Sequence, residues 1–260
     1  METALVGARL AGEALLRRQG RLTAVEHKGR VDLVTEADRA SEAILEDRIL
    51  RSFPMDGLLG EEGGTRGGGG PFGWIVDPLD GTTSFVHGLP IFGVSIGITW
   101  RGELVAGVVH VPVLGETYSA LRGEGSRCNG RPIRVSSTLR LVDALLATGF
   151  PYDRTERLPR LLADLSWGLR QLQGLRRYGA ASVDLAFTAC GRLDGYWERV
   201  LGPWDMAAGA LLVQEAGGRV SHPDGGPLRL EHGPLVASNG HLHDAILEGL
   251  ASATIEGAAP

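Results

Sequence analysis

Residues 74–84 read Trp-Ile-Val-Asp-Pro-Leu-Asp-Gly-Thr-Thr-Ser. The apolar run 74–76 reads as a buried strand that stops at Asp77. Asp is favoured at the first position of a turn, and Pro78 presets φ at the second. The stretch therefore predicts a turn over Asp77–Asp80, with its end Cα atoms within about 7 Å. Both carboxylates and the Leu79 carbonyl then converge on one point. Two carboxylates about 4 Å apart repel by roughly 4 kcal/mol at an effective dielectric of 20. A hard divalent cation with oxygen ligands relieves that repulsion. Gly81-Thr82-Thr83-Ser84 reads as a helix start whose free N–H groups suit a phosphate. An Asp-Pro turn followed by an N-cap explains the same residues without a ligand, so this stretch alone leaves both readings open.

Upstream, apolar positions at helical spacing predict a helix over residues 2–19, stopped by Gly20. Gly20–Arg30 is polar and reads as a loop. A second helix is predicted from Thr35 to about Arg51, and Thr65–Gly70 (TRGGGG) as a flexible loop. Downstream, residues 91–121 read as antiparallel strands turning at Arg101-Gly102 and near Leu114-Gly115. After about residue 136, short apolar runs (144–148, 174–178, 193–197, 235–238) alternate with helical stretches (about 154–169, 180–190, 203–216, 240–251). That alternation predicts an α/β architecture. We expect two halves, 1–138 and 139–260, the first with most of the acidic site and the second with Asp205. The last residues, ATIEGAAP, look frayed.

The chain of 260 residues is long enough to bury a large core without staples. Its 39 glycines follow no three-residue period, which excludes collagen. A net charge of −5 argues against a nucleic-acid partner. Lys28 is the one lysine among 26 basic residues. Cys128 and Cys190 have no paired spacing, so neither a disulfide framework nor a zinc-thiolate site is expected, and a reducing cytoplasm fits. No apolar run approaches the ~18 residues of a membrane span. The N-terminus lacks the charged-then-apolar order of a signal peptide.

Other acids carry structural readings of their own. Thr35-Glu36-Ala37-Asp38 resembles a capping box with Asp in place of Glu. Pro203-Trp204-Asp205 opens a helix with Pro at its first position, where Asp205 complements the dipole. Glu61-Glu62, after Leu58-Leu59-Gly60, fits a solvated loop. Each reading suffices for its own residue.

Four segments occur together and in order: VDLVTEAD (31–38), GEE (60–62), WIVDPLDGTTSFVHGLPIFGVSIG (74–97) and WDMAAGALLVQEAGG (204–218). With them the chain resembles the inositol monophosphatase family, magnesium-dependent and lithium-sensitive phosphatases, over nearly its whole length. The resemblance implies a sugar-phosphatase fold of alternating αβαβα layers. It implies that Glu61, Asp77, the Leu79 carbonyl, Asp80 and Asp205 ligate two or three Mg²⁺, with Glu62 beside them. Asp38, Thr82 and Glu61 match the residues that orient and activate the attacking water. Gly81 and Thr82 match the N–H donors to phosphate. Gly179, Ala180, Ala181 and Glu198 match positions that contact substrate hydroxyls, and Asp80 and Asp205 can touch both metal and substrate. The implied reaction is hydrolysis of inositol 1-phosphate, or a similar small sugar or polyol phosphate, by direct attack of a metal-activated water. Positioning and electrostatics then have to supply on the order of 20 kcal/mol. A small-molecule substrate, no membrane, and a cytoplasmic homodimer complete the expectation.

The sequence departs from the family at Gly63, often Ser or Thr, and at Gly179-Ala180-Ala181, where Gly-Thr-Ala is usual and a hydroxyl is lost. Lys28 is only approximately in register with a flexible-loop lysine near the third metal. Histidinol phosphate, fructose 1,6-bisphosphate and 3′-phosphoadenosine 5′-phosphate remain alternative substrates. A non-catalytic regulatory role, known for some bacterial members, is a further alternative. Gly93-Val94-Ser95-Ile96-Gly97 fits the serine-hydrolase elbow pattern, but no helix follows it, so Ser95 reads as a strand residue. His241 and His243 read as surface histidines. His87 lines the cleft or is structural, and Trp74, Trp197 and Trp204 read as core anchors.

Overall fold

A computed structural model describes residues 1–22, 25–27 and 33–254. Helix α1 (Glu2–Arg18) buries Ala4, Ala8, Ala11 and Leu15, the helical spacing expected of one packed face. Strands β1 (Val25–His27) and β2 (Leu33–Thr35) pair antiparallel, so part of the expected 20–30 loop is strand. Lys28 lies outside the described residues. Helix α2 (Glu36–Ser52) starts at the expected capping box and packs on α1.

Strand β3 (Gly57–Gly60) pairs with β4 (Gly64–Gly67), where a flexible loop was expected. Pairing needs only backbone groups, so glycines on the free edge of β3 complete it regardless of side chains. Strand β5 (Phe72–Asp80) runs parallel to β3 and antiparallel to β6 (Gly93–Trp100). The helical turn α3 (Thr82–Val86) lies between β5 and β6. Asp77 faces Ser95 and Asp80 faces Gly93, so β5 carries one extra residue. The expected turn over Asp77–Asp80 is thus a β-bulge within a continuing strand, the place where a sheet accepts proline.

Strands β7 (Glu103–Val111), β8 (Glu116–Leu121), β9 (Gly125–Cys128) and β10 (Arg131–Pro132) continue the meander. The β6–β7 turn has φ of 52° at Arg101 and 85° at Gly102, the two positive values a type I′ hairpin requires. The eight-stranded sheet is ordered β10-β9-β8-β7-β6-β5-β3-β4.

The second sheet begins with β11 (Leu145–Thr148), followed by α4 (Leu158–Gln171), β12 (Gly174–Arg176), α5 (Ala181–Ala189), β13 (Gly195–Leu201) and α6 (Pro203–Glu215). Strands β14 (Arg219–Ser221) and β15 (Gly233–Ser238) and helix α7 (His243–Ser252) complete it. Its order is β12-β11-β13-β15-β14, and β14 was not foreseen. Helices α1 and α2 pack on one face of the large sheet, and α5 and α6 on the other. The small sheet covers α5 and α6, with α4 and α7 outside it. The layers therefore alternate αβαβα, as expected.

Helix α6 sits unusually close to the large sheet. Gly97 and Gly107 are cross-strand partners on β6 and β7. A Cβ at Gly97 would stand 2.7 Å from Ala207 Cβ, and one at Gly107 2.8 Å from the Ala208 carbonyl oxygen. Ser95 Oγ donates to the Trp204 carbonyl at 3.0 Å, pinning the start of α6. Ser95 is therefore a strand residue with a satisfied hydroxyl, as expected. Trp74 and Trp197 are buried, and Trp204 is half-buried against the core.

His241 is exposed, but His243 is not a surface residue. It opens α7 pointing inward, where its ring nitrogens meet Ser221 Oγ at 2.8 Å and Ser238 Oγ at 3.0 Å. His241 lies in the turn before α7 and faces solvent, while His243 begins the helix on its buried side, which the H-x-H spacing did not reveal. Burial pulls the His243 pKa down to about 4.

Candidate active site

The bulge in β5 delivers two acids to one place. Asp77 Oδ1 accepts the Leu79 N–H at 2.9 Å, closing the loop that proline leaves without a ladder bond. Ser41 Oγ on α2 donates to the Pro78 carbonyl at 2.6 Å, fixing the bulge from below. Asp205 arrives from the first turn of α6, where its Oδ2 accepts the Gly202 N–H at 2.6 Å. Carboxylate oxygens of Asp77, Asp80 and Asp205 lie within 4.8 Å of one another. Asp77 and Asp80 are buried and Asp205 is half-buried.

Burial pushes the Asp77 carboxyl well above the usual carboxylate range, and the charges of Glu61, Asp80 and Asp205 add to it. Burial raises Asp205 likewise, with Asp80 and Glu61 adding. Glu61 follows β3, beside Val76, whose carbonyl accepts the Glu61 N–H at 3.2 Å. It stands at the rim of the trio rather than inside the 4.8 Å group, and its charge reaches both acids. A cluster of hard, mutually repelling oxygen donors fits a hard divalent cation better than a softer metal.

Asp80 is held by the opposite half of the chain. Its Oδ2 accepts Ser182 N at 2.7 Å and Ser182 Oγ at 2.6 Å, and its Oδ1 accepts Ala181 N at 3.2 Å. An acid from β5 thus satisfies the first N–H groups of α5, which favour negative charge. Ser182, two residues after Ala180, places its hydroxyl on Asp80, a contact that sequence reasoning passed over. Ala180 itself is buried beneath Gly81 and does not line the cleft, whereas Gly179 and Ala181 do. Its methyl sits 3.0 Å from where a Cβ on Gly81 would be, so packing under the turn uses it up.

Asp38 reaches the site through Thr82. Its Oδ2 accepts from Thr35 N at 2.8 Å and Thr35 Oγ1 at 2.7 Å, completing the capping box. Its Oδ1 accepts from Thr82 Oγ1 at 3.0 Å, and the same hydroxyl lies 3.1 Å from the Leu79 carbonyl. Asp38 has no solvent access, and burial raises its carboxyl despite these hydrogen bonds.

Across the cleft, Glu198 on β13 is buried and accepts a hydrogen bond from Tyr196 OH. Its carboxylate lies on Gly149, at a spot any other residue's Cβ would occupy. Burial raises it to about 7, against lowering by Tyr196 and Arg177. Gly149, Phe150, Tyr152 and Arg177 also line the cleft and were missed. Gly149 and Phe150 directly follow β11, and the ends of parallel strands are where such sheets bind ligands. His87 is exposed and does not line the cleft.

The profile of the inositol monophosphatase family matches residues 2–254. This chain belongs to that family. It is a phosphoric monoester hydrolase, as the family is. It is 44% identical over 254 residues to an inositol-1-monophosphatase of Synechocystis sp., covering 97% of this chain and 88% of the other. It is 45% identical over 254 residues to a protein of Pseudomonas aeruginosa named Nus factor SuhB, covering 95% and 94%. Its structure is similar to an inositol monophosphatase from Anabaena (Nostoc) sp., with TM-score 0.90 and 41% identity, covering 100% of this chain and 98% of that one. Extragenic suppressor protein suhB from Bartonella henselae gives TM-score 0.93 at 39% identity, covering 97% and 98%. Among the described residues no helix is long and apolar enough to cross a membrane.

Proposed function

We propose that this phosphatase is Mg²⁺-dependent and acts on inositol 1-phosphate or a similarly small polyol or sugar phosphate. The observation that carries the reading is the trio of buried Asp77 and Asp80 and half-buried Asp205, with carboxylate oxygens within 4.8 Å of one another. In this reading Asp77, Asp80, Asp205, Glu61 and the Leu79 carbonyl hold two or three metal ions. Bound there, Mg²⁺ would offset the charge of the phosphate dianion and acidify a water molecule.

The chain's own residues place and deprotonate that water. The Thr82 hydroxyl hydrogen is committed to Asp38 Oδ1 or the Leu79 carbonyl, so Thr82 Oγ1 is left as an acceptor for a water O–H. A proton leaving the water passes to Thr82 Oγ1 as the Thr82 proton moves to Asp38 Oδ1. The raised pKa of Asp38 makes it a better base. Glu61 orients the same water from the rim. Gly81 and Thr82 N–H groups take phosphate oxygens, and Gly179, Ala181 and Glu198 contact the substrate's hydroxyls. Residues 1–138 and 139–260 act as two halves that close one site between them. A cytoplasmic, lithium-sensitive homodimer is part of the proposal, and the free thiols of Cys128 and Cys190 support a reducing compartment.

The test is phosphate release by the purified full chain from inositol 1-phosphate, histidinol phosphate and 3′-phosphoadenosine 5′-phosphate. We expect release with Mg²⁺ from the first above the others, and loss of it with EDTA or Li⁺. Release unchanged by EDTA overturns the proposal. The name of the Pseudomonas relative supports a second reading, a regulatory role for the same fold. Inactivity on every phosphomonoester with Mg²⁺ would favour it.

A further inference from the structure

Three side chains on one face of α2 reach three separate parts of the cleft. Asp38, Ser41 and Glu42 stand at i, i+3 and i+4, the spacing that sets helical side chains beside one another. Asp38 takes the Thr82 hydroxyl, and Ser41 takes the Pro78 carbonyl. Glu42 takes the hairpin tip that carries Glu61. Its Oε1 accepts the Gly63 N–H at 2.9 Å, and the Glu62 N–H stabilises the same carboxylate. The Glu61 N–H is spent on the Val76 carbonyl at 3.2 Å. All three backbone donors of the tip are therefore engaged, two of them by one side chain.

The seat is shaped for that carboxylate. Glu42 is buried, although it belongs to a residue type that prefers water. A Cβ on Gly60 would fall on its Oε1, and one on Gly63 would stand 3.3 Å from the same atom. Two glycines thus frame Glu61-Glu62 and leave room for one acid from another element. The hairpin itself supplies little hold. β4 ends the large sheet and is exposed along most of its length, so its backbone hydrogen bonds face solvent and open easily. The tip closes through Gly64 at φ 67°, a three-residue turn with no side chain of its own to pack. Glu46, one turn further along α2, takes Arg66 of β4 at 2.7 Å and braces the hairpin from the same helix.

We infer that Glu42 is a positioning residue. By holding the tip 61–63 against α2, it sets where the Glu61 carboxylate stands relative to Asp77 and Asp205, and with it the affinity of the site for a divalent cation. This rests on the metal reading above. Removing a group that orients a metal ligand lowers affinity on the order of 10- to 100-fold. The first measurement is calorimetric titration of the metal-free full chain with Mg²⁺. Glu42→Ala should weaken binding about tenfold or more. Glu42→Gln keeps an acceptor of the same reach and should stay within about threefold of the wild type. KM for inositol 1-phosphate at saturating Mg²⁺ should move by no more than about twofold, because Glu42 touches no substrate. The second measurement is amide hydrogen exchange without metal. Glu42→Ala should lose protection at Glu62 and Gly63 and keep it along α2, whereas Glu42→Gln should keep both. Unchanged Mg²⁺ affinity in folded Glu42→Ala, or equal damage by Ala and Gln, overturns the inference. If Glu42→Ala does not fold, Glu42→Asp decides, since an acceptor one methylene short of Gly63 should give the same loss of affinity. Affinity unchanged in Glu42→Asp then overturns it. If the wild type binds no Mg²⁺, the metal reading fails and amide exchange still judges Glu42: full protection of Glu62 and Gly63 in Glu42→Ala overturns its role.

Discussion

Asp77 and Asp164 are both shut off from solvent, at 1% and 2% exposure, and the fold treats them in opposite ways. Asp164 on α4 receives Arg199 through Nε and Nη2, both at 2.7 Å, and Arg160 at 2.8 Å. Its charge is met by cations encoded in the chain. Asp77 receives one backbone N–H and is surrounded by Asp80, Asp205 and Glu61. Asp184 takes a third course. One of its oxygens has no hydrogen-bond partner, and burial raises its carboxyl well above the usual range, which favours the neutral acid. A buried acid is neutralised by a paired arginine, by a proton, or by something from outside. Among the described residues, Asp77, Asp80 and Asp205 are gathered with no arginine paired to them, and such a place expects a ligand.

The sharpest way to break this contrast is to remove one acid from each region. Asp77→Asn should lower kcat by three orders of magnitude or more while leaving the fold intact, and without divalent cations its melting temperature should match or exceed the wild type. Mg²⁺ at about a hundred times its Kd should stabilise the wild type by about 2.7 kcal/mol and leave the variant nearly unmoved, as read by calorimetry. A variant that keeps both turnover and Mg²⁺ stabilisation would show that Asp77 is no ligand. Asp164→Asn should do the reverse. Stripping the partner from a largely buried Arg199 should cost about 3 kcal/mol in chemical denaturation, with kcat within twofold. That sits at the low end for such pairs because Arg160 is partly exposed, at 39% of its side chain.

His243 extends the comparison to a buried base that the chain leaves neutral. Its folded pKa of about 4 lies below the ordinary 6.5, so between these values the unfolded chain binds the proton more readily. The resulting stability is present above pH 6.5 and lost as pH falls towards 4. From pH 7 to 5.5 the wild type should lose about 1 kcal/mol more than His243→Gln, measured by urea denaturation at each pH. Parallel losses in the two proteins would show that the ring takes up a proton as readily folded as unfolded.

Features set by neighbouring residues were legible in the sequence. The capping box at Thr35 and Asp38, the proline-opened helix carrying Asp205 and the turn at Arg101-Gly102 all form where read. Each depends on contacts a few residues apart. Asp38 and Thr82 are 44 positions apart, and only family resemblance put them at one site. Ser182 on Asp80, at a separation of 102, was missed because the substrate loop was read one residue short. Arg177 had no local signature at all. The Phe150 ring beside it comes from another strand end. The bulge at Asp77–Asp80 was taken for a turn because Asp-Pro prescribes local dihedrals and is silent about the β6 strand that keeps the pairing going.

The seat of α6 on Gly97 and Gly107 bears on how this protein tolerates change. Asp205 rides on that helix, so its height above Asp77 and Asp80 is gauged by two hydrogen atoms on the far side of a packed interface. Adding one methyl there prises the helix upward and carries the acid with it, without touching the cleft. The floor beneath α6 is thus as intolerant of drift as the ligands themselves.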